Sequence, residues 1–140
     1  MTTVLADLNH GVMVSDSSIS DGDRVWSQRK VWRIRGHLLG FAGHMDEIES
    51  FLAWWRAGHT DKFPRFDHSS ALVLSVGGLV LYNAQRAPEP IKRGVEAVGT
   101  GAKAVMCAYE ALGWQDPARA VRLTCKHDAY SRRPVRTYTL

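Results

Sequence analysis

Cysteine is almost absent from this chain. Only Cys107 and Cys125 occur in 140 residues, and neither stands in a metal-ligand spacing. Both fall in stretches of helical period, so they read as small buried hydrophobes rather than as a disulfide or a zinc site. No apolar run approaches the roughly 18 residues of a membrane-spanning helix, and the first residues lack the basic segment and apolar core of a signal peptide. The expectation is a cytoplasmic protein with no membrane partner. The six histidines form no pattern such as His-Glu-x-x-His, so no metal site and no cofactor are read. Basic charge is in excess, with a net +4, but the Lys and Arg residues are scattered. Only the Arg33/Arg35 and Arg132-Arg133 pairs stand close together. Without an aromatic-rich RNA-binding motif, a helix-turn-helix or a phosphate loop beside them, a nucleic-acid partner is not expected.

What is present is a chain with 45% hydrophobic residues, read as one domain over 1–140 that buries about two-thirds of its unfolded surface. Thr3 to Leu8 and Val12 to Asp16 read as strands joined by the turn Asn9-His10-Gly11. Ser17 to Asp23 reads as a polar loop. Val31 to Arg35, with Trp32 and Ile34 on one face, and the apolar Leu38 to Ala42 complete four strands before any helix. From Met45 the period changes to that of a helix through Ile48, Leu52 and Trp55, ending at Gly58. His59 to His68, with Pro64, reads as a loop. Ala71 to Val76 and Leu79 to Asn83 flank the hairpin signal Gly77-Gly78. Gly101 to Leu112 carries Val105, Tyr109 and Leu112 on one helical face. Asp116-Pro117 is the N-cap and first-turn proline of a last helix toward Lys126. Val135 to Leu140 reads as a final strand. This order suits an α+β layer structure of antiparallel strands rather than a doubly wound parallel sheet.

The chemistry-bearing residues begin at Thr2. If Met1 is removed, this residue carries both a hydroxyl nucleophile and a free α-amine to act as its base. Free α-amines titrate near 7.7–8.0, and a nearby lysine ammonium lowers that value by like-charge repulsion. Lys30 fits that role, with Asp16, at the end of the second strand, as the carboxylate that holds it. Gly43 stands just before a helix, where a backbone amide points at developing negative charge.

These residues together resemble the catalytic β subunits of proteasomes and the HslV-type peptidase, members of the N-terminal-nucleophile hydrolases. Thr2-Thr3-Val4-Leu5 is similar to the start of the mature subunits, Ser15-Asp16-Ser17 to their strand-end aspartate, and Arg29-Lys30-Val31 to their lysine-bearing strand start. Gly40-Phe41-Ala42-Gly43-His44-Met45-Asp46 resembles the segment whose glycine amide forms the oxyanion hole. Val98-Gly99-Thr100-Gly101 is similar to a Gly-Ser-Gly element, with Thr100 in place of the serine. Asp128-Ala129-Tyr130-Ser131 is similar to Asp-Ala-x-Ser-Gly, whose aspartate and serine orient the threonine amine, although Arg132 replaces the glycine. His44 stands where the family has a small residue. It either shapes the substrate pocket or lies on the surface.

The resemblance implies a four-layer αββα sandwich. It implies a threonine-type endopeptidase with Thr2, Asp16, Lys30, Gly43, Thr100, Asp128 and Ser131 as its catalytic set and His44 as a substrate contact. It further implies peptide or unfolded-protein substrates, a homo-oligomeric ring and an ATPase unfoldase as candidate partner. The short stretch after Gly58 cannot hold the family's second long helix, so the helix layer is reduced. That reduction is expected to leave apolar sheet surface for a neighbouring subunit to cover, with Phe51 and Trp54 as the contact residues. A catalytically silent ring subunit of the same fold, or a basic nucleic-acid-binding accessory protein, stands as the alternative.

Overall fold

The computed structural model describes residues 2–21, 24–84, 87–128, 131 and 134–140. Met1, the Arg132 that replaces the family glycine, and Arg133 lie outside the described residues. In chain order the elements are β1 (Thr3–Asp7), β2 (Val12–Ser15), β3 (Ser18–Asp21), β4 (Arg24–Ser27), β5 (Val31–Ile34), β6 (His37–Ala42), α1 (Met45–Arg56), β7 (Ser70–Ser75), β8 (Gly78–Tyr82), β9 (Glu89–Pro90), β10 (Val95–Gly99), α2 (Ala102–Ala111), α3 (Pro117–His127) and β11 (Arg136–Thr139). One sheet has the order β10-β1-β2-β11 and the other β5-β6-β7-β8-β9, with every pairing antiparallel.

The period of two along the strands builds the layers. Val4, Ala6 and Met13 from the first sheet and Leu38, Leu72 and Leu74 from the second face one another in a shared core. The alternate residues, Leu5 and Val14, point outward against Val105 and Tyr109 of α2 and Ala120 and Val121 of α3. On the far side, Leu39, Phe41, Ala71 and Val73 meet Ile48, Phe51, Leu52 and Trp55 of α1. The result is the four-layer αββα arrangement of antiparallel sheets.

Several expectations require correction. Ser18–Asp21 is not loop but a strand paired with Arg24–Ser27, so six strands precede the first helix. The polar composition of 17–23 conceals it, because a hairpin outside the two main sheets needs no apolar alternation. Strands β9 and β10 carry no strong local signal, yet β10 pairs with β1 along its whole length, Thr3 to Gly99 through Asp7 to Val95. The β7–β8 turn is Val76-Gly77, since Ser75 pairs with Gly78. Val76 is 92% exposed at its tip.

Neither cysteine forms a disulfide among the described residues, but Cys107 is exposed and Cys125 half-buried. The inward face of α2 is set by Val105 and Tyr109, each fully buried, and residue 107 points away from it. Nor is the reduced helix layer left bare. The 57–69 connection returns over the sheet and inserts Phe66, fully buried, with Phe63 partly buried beside it. Phe51 is fully buried, with ring centroids 5.3 Å from Phe41, 5.1 Å from Phe66 and 5.2 Å from Tyr82, so it is the centre of this core and not a subunit contact. Trp54 is half-buried and donates its indole N–H to the Asp61 carbonyl at 3.0 Å. Among the described residues no helix is long and apolar enough to cross a membrane.

Candidate active site

The site lies at one end of the sandwich, where β1 begins and β2, β6 and β10 end. Thr2, Ala42, Gly43, His68, Ser70, Gly99 and Thr100 line a pocket of about 310 Å³. Three of the residues singled out by sequence, Thr2, Gly43 and Thr100, therefore share one cavity. The β1–β10 pairing brings Thr100 there, since Thr3 faces Gly99 across the ladder. Gly99 has φ +101°, and a Cβ on it would fall 1.8 Å from the Thr2 carbonyl oxygen, so only glycine lets this turn approach Thr2 so closely.

Asp16 and Lys30 form the ion pair that their sequence positions suggested. The Nζ–Oδ1 distance is 3.0 Å, and the side chains are only 7% (Lys30) and 0% (Asp16) exposed. The carboxylate also fixes the start of β1. Its Oδ1 accepts the Thr3 N–H at 2.9 Å, its Oδ2 accepts the Ser18 N–H at 3.1 Å, and its own N–H donates to the Thr3 carbonyl at 3.1 Å. Burial pushes the Lys30 pKa below its ordinary value, with the Asp16 charge and hydrogen bond opposing the shift.

Asp128 and Ser131 are also assembled with Thr100, 28 positions before Asp128. Asp128 Oδ2 accepts from Ser131 Oγ at 2.5 Å and from Thr100 Oγ1 at 3.1 Å. Ser131 is buried and its Oγ lies 2.5 Å from Thr3 Oγ1. Because Ser131 donates to the carboxylate, the Thr3 hydroxyl donates to Ser131. The network thus grips Thr3, the neighbour of the candidate nucleophile.

Gly43 has φ +132°, is exposed, and its N–H has no hydrogen-bond partner among the described residues. It stands immediately before α1, whose N-cap is His44. A pocket-lining residue thus keeps an amide without a hydrogen-bond partner beside a helix N-terminus, where the helix dipole favours negative charge. His44 is exposed and does not line the pocket; its ring lies 5.0 Å from that of His68, which does. His68, Ser70 and the buried Glu47 are the site residues that sequence reasoning missed. His68 belongs to a connection whose path depends on the aromatic core, Ser70 opens the strand β7 that follows it, and Glu47 was hidden in an ordinary acidic first turn.

No protein-family model matches the chain, and no curated protein sequence does. Solved structures do match. HslV of Trypanosoma brucei superposes with a TM-score of 0.80 at 21% identity, covering 98% of this chain and 98% of its own. The protein BPH of Thiobacillus denitrificans, in complex with epoxomicin, gives 0.73 at 13% identity over 100% of this chain and 98% of its own. An Anbu Gly-1 mutant from Hyphomicrobium sp. strain MC1 gives 0.75 at 10% identity over 100% of this chain and 81% of its own. The fold is therefore that of an N-terminal-nucleophile hydrolase. It is the fold that HslV, BPH and Anbu share with this chain.

Proposed function

We propose that the chain is a threonine-type endopeptidase subunit in which Thr2, after removal of Met1, is the nucleophile. The observation that carries this reading is the convergence of Thr2, the free Gly43 amide and Thr100 on one pocket.

The Thr2 α-amine takes the hydroxyl proton as Oγ1 attacks the peptide carbonyl, and the developing oxyanion is bound by the Gly43 N–H. The ammonium then returns the proton to the leaving amine as the C–N bond breaks, leaving an ester on Thr2. Water, deprotonated by the same amine, hydrolyses that ester and restores the hydroxyl. Lys30, as a cation held by Asp16, disfavours the protonated amine and so keeps the base available at neutral pH. Asp128 and Ser131 act through Thr3 and Thr100 to hold the nucleophile's segment. His44 and His68 border the substrate's path into the pocket. Peptides or unfolded proteins are the proposed substrates, a homo-oligomeric ring in the cytoplasm the proposed assembly, and an ATPase unfoldase the partner that would feed it.

Intact mass after incubation with epoxomicin tests the reading. One adduct on a species lacking Met1, lost in Thr2→Ala, is the expected result. Retained Met1 with no adduct and no peptide hydrolysis would leave a catalytically silent ring subunit instead.

A further inference from the structure

We infer that Glu47 is a positioning residue for the oxyanion amide, acting through Ser69 on the Gly43–His44 corner and through its neighbouring amides on the pocket wall. The inference rests on the peptidase reading above. Glu47 occupies the third position of α1, from which a glutamate commonly reaches back to the N-cap N–H. Here that bond is made in two steps. The His44 N–H donates to Ser69 Oγ at 3.0 Å, and Ser69 Oγ donates to Glu47 Oε2 at 2.6 Å. The interposed hydroxyl leaves the carboxylate free to accept the His68 N–H at 3.0 Å through Oε2 and the Asp67 N–H at 3.2 Å through Oε1. One carboxylate therefore holds both the helix corner that carries the free Gly43 amide and the His68 segment of the pocket.

Two further observations point the same way. Gly43 packs directly on this relay, for a Cβ there would lie 2.4 Å from Ser69 Oγ and 2.5 Å from Ser69 Cα. The backbone at Gly43 and Ser69 is thus in close approach, so a shift of Ser69 is felt at Gly43. Glu47 is also not needed to anchor α1, which already buries Ile48, Phe51, Leu52 and Trp55. A buried carboxylate is costly unless its acceptors are used, and the Asp67 N–H, the His68 N–H and the Ser69 hydroxyl all donate to that of Glu47, which suits the ionised form. Burial alone would raise its pKa, but the bonds from Ser69, His68 and Asp67 outweigh this and hold it below the ordinary value.

The test uses the processed, full-length protein with Glu47→Gln and Ser69→Ala. In Glu47→Gln, kcat for a small peptide should fall by about 10- to 100-fold, less than the roughly 100- to 1,000-fold lost when an oxyanion donor is removed outright, because the amide is displaced and not deleted, with a smaller change in KM. Ser69→Ala should give a similar loss, and the double variant should be little worse than the poorer single, because both break one relay. Amide hydrogen exchange gives a second readout that does not depend on turnover. Exchange at His44 and His68 should accelerate in Glu47→Gln relative to wild type. Unchanged exchange, or faster exchange with kcat intact in both folded variants, overturns the inference. If wild type itself neither hydrolyses peptide nor takes up epoxomicin, the peptidase reading fails. The exchange comparison then still decides whether Glu47 clamps the corner.

Discussion

Replacing Asp16 with Asn keeps the shape of the side chain but removes the charge opposite Lys30. The two side chains are 0% and 7% exposed and 3.0 Å apart, so little solvent screens their interaction. Removing one partner of such a pair typically costs ~3–5 kcal/mol. Asparagine can still accept one of the two backbone N–H bonds, from Thr3 or Ser18, so the lower end of that range is expected for Asn. Alanine should reach the upper end, because each abandoned buried amide adds about 1–3 kcal/mol. Against a total stability of roughly 5–15 kcal/mol, Asp16→Ala should be marginally folded, and Asn is the better probe. Urea unfolding of Asp16→Asn, Lys30→Met and the double variant should give a coupling energy of about 2–3 kcal/mol.

The pH dependence has a definite sign. The folded Lys30 pKa already lies below its usual 10.5 because of burial, and losing Asp16 removes the negative charge that opposes that shift. Between the folded and unfolded values the unfolded chain binds more protons, so stability rises with pH there. The deficit of Asp16→Asn relative to wild type should therefore narrow as pH is raised from neutral toward about 10. A deficit below about 0.5 kcal/mol at neutral pH, or one that widens as pH rises, would refute the buried-pair argument.

Other perturbations have equally definite outcomes. Gly43→Ala places a side chain at φ +132° and against Ser69, so peptide hydrolysis should be lost and stability should fall by about 1–3 kcal/mol, read by calorimetry beside a kinetic assay. Asp7 and Glu47 both have pKa values below their usual 3.8 and 4.5: burial would raise each, and hydrogen bonds from Tyr109 and His10 in one case and Ser69 and His68 in the other prevail. Their stabilising contributions are complete above those usual values and disappear as pH falls through the lower folded ones. Acid titration of the urea midpoint should accordingly be flatter in Glu47→Gln than in wild type. Tyr109→Phe removes the phenol that donates to Asp7 Oδ2 beneath the β1–β2 turn, while the Asn9 and His10 N–H groups and the His10 ring remain on that carboxylate. A loss of about 0.5–1.5 kcal/mol is expected, visible as a lowered melting temperature. Light scattering at micromolar concentration tests the ring, and a stable monomer would remove the chambered architecture from the proposal.

The legible parts of this chain are those that local chemistry determines. The strand-forming run Thr3 to Leu8, the apolar run Leu38 to Ala42, the helical period from Met45, and the Asp116-Pro117 cap each report an element from within a few residues. The structure keeps all of them; the cap, for example, accepts the Arg119 N–H at 2.9 Å. The order of Thr2, Asp16, Lys30, Gly43 and Thr100 along the chain was likewise open to reading, because each sits at an element boundary. What the sequence left undetermined depends on surfaces that meet only after folding. Phe51 and Phe66 become one aromatic core because a connection without regular structure lies back over the second sheet, and no local period announces that path. β10 is a strand because β1 offers it an edge. Glu47 looks like any acidic residue in a first turn until Ser69, 22 positions away, arrives to receive the helix's first amide and pass the bond on. Sequence by itself specified the elements and the chemical identities of the candidate site. Tertiary structure alone decided which of those groups are buried, since burial is a property of packed layers and it sets the strength of every charge and hydrogen bond at this site.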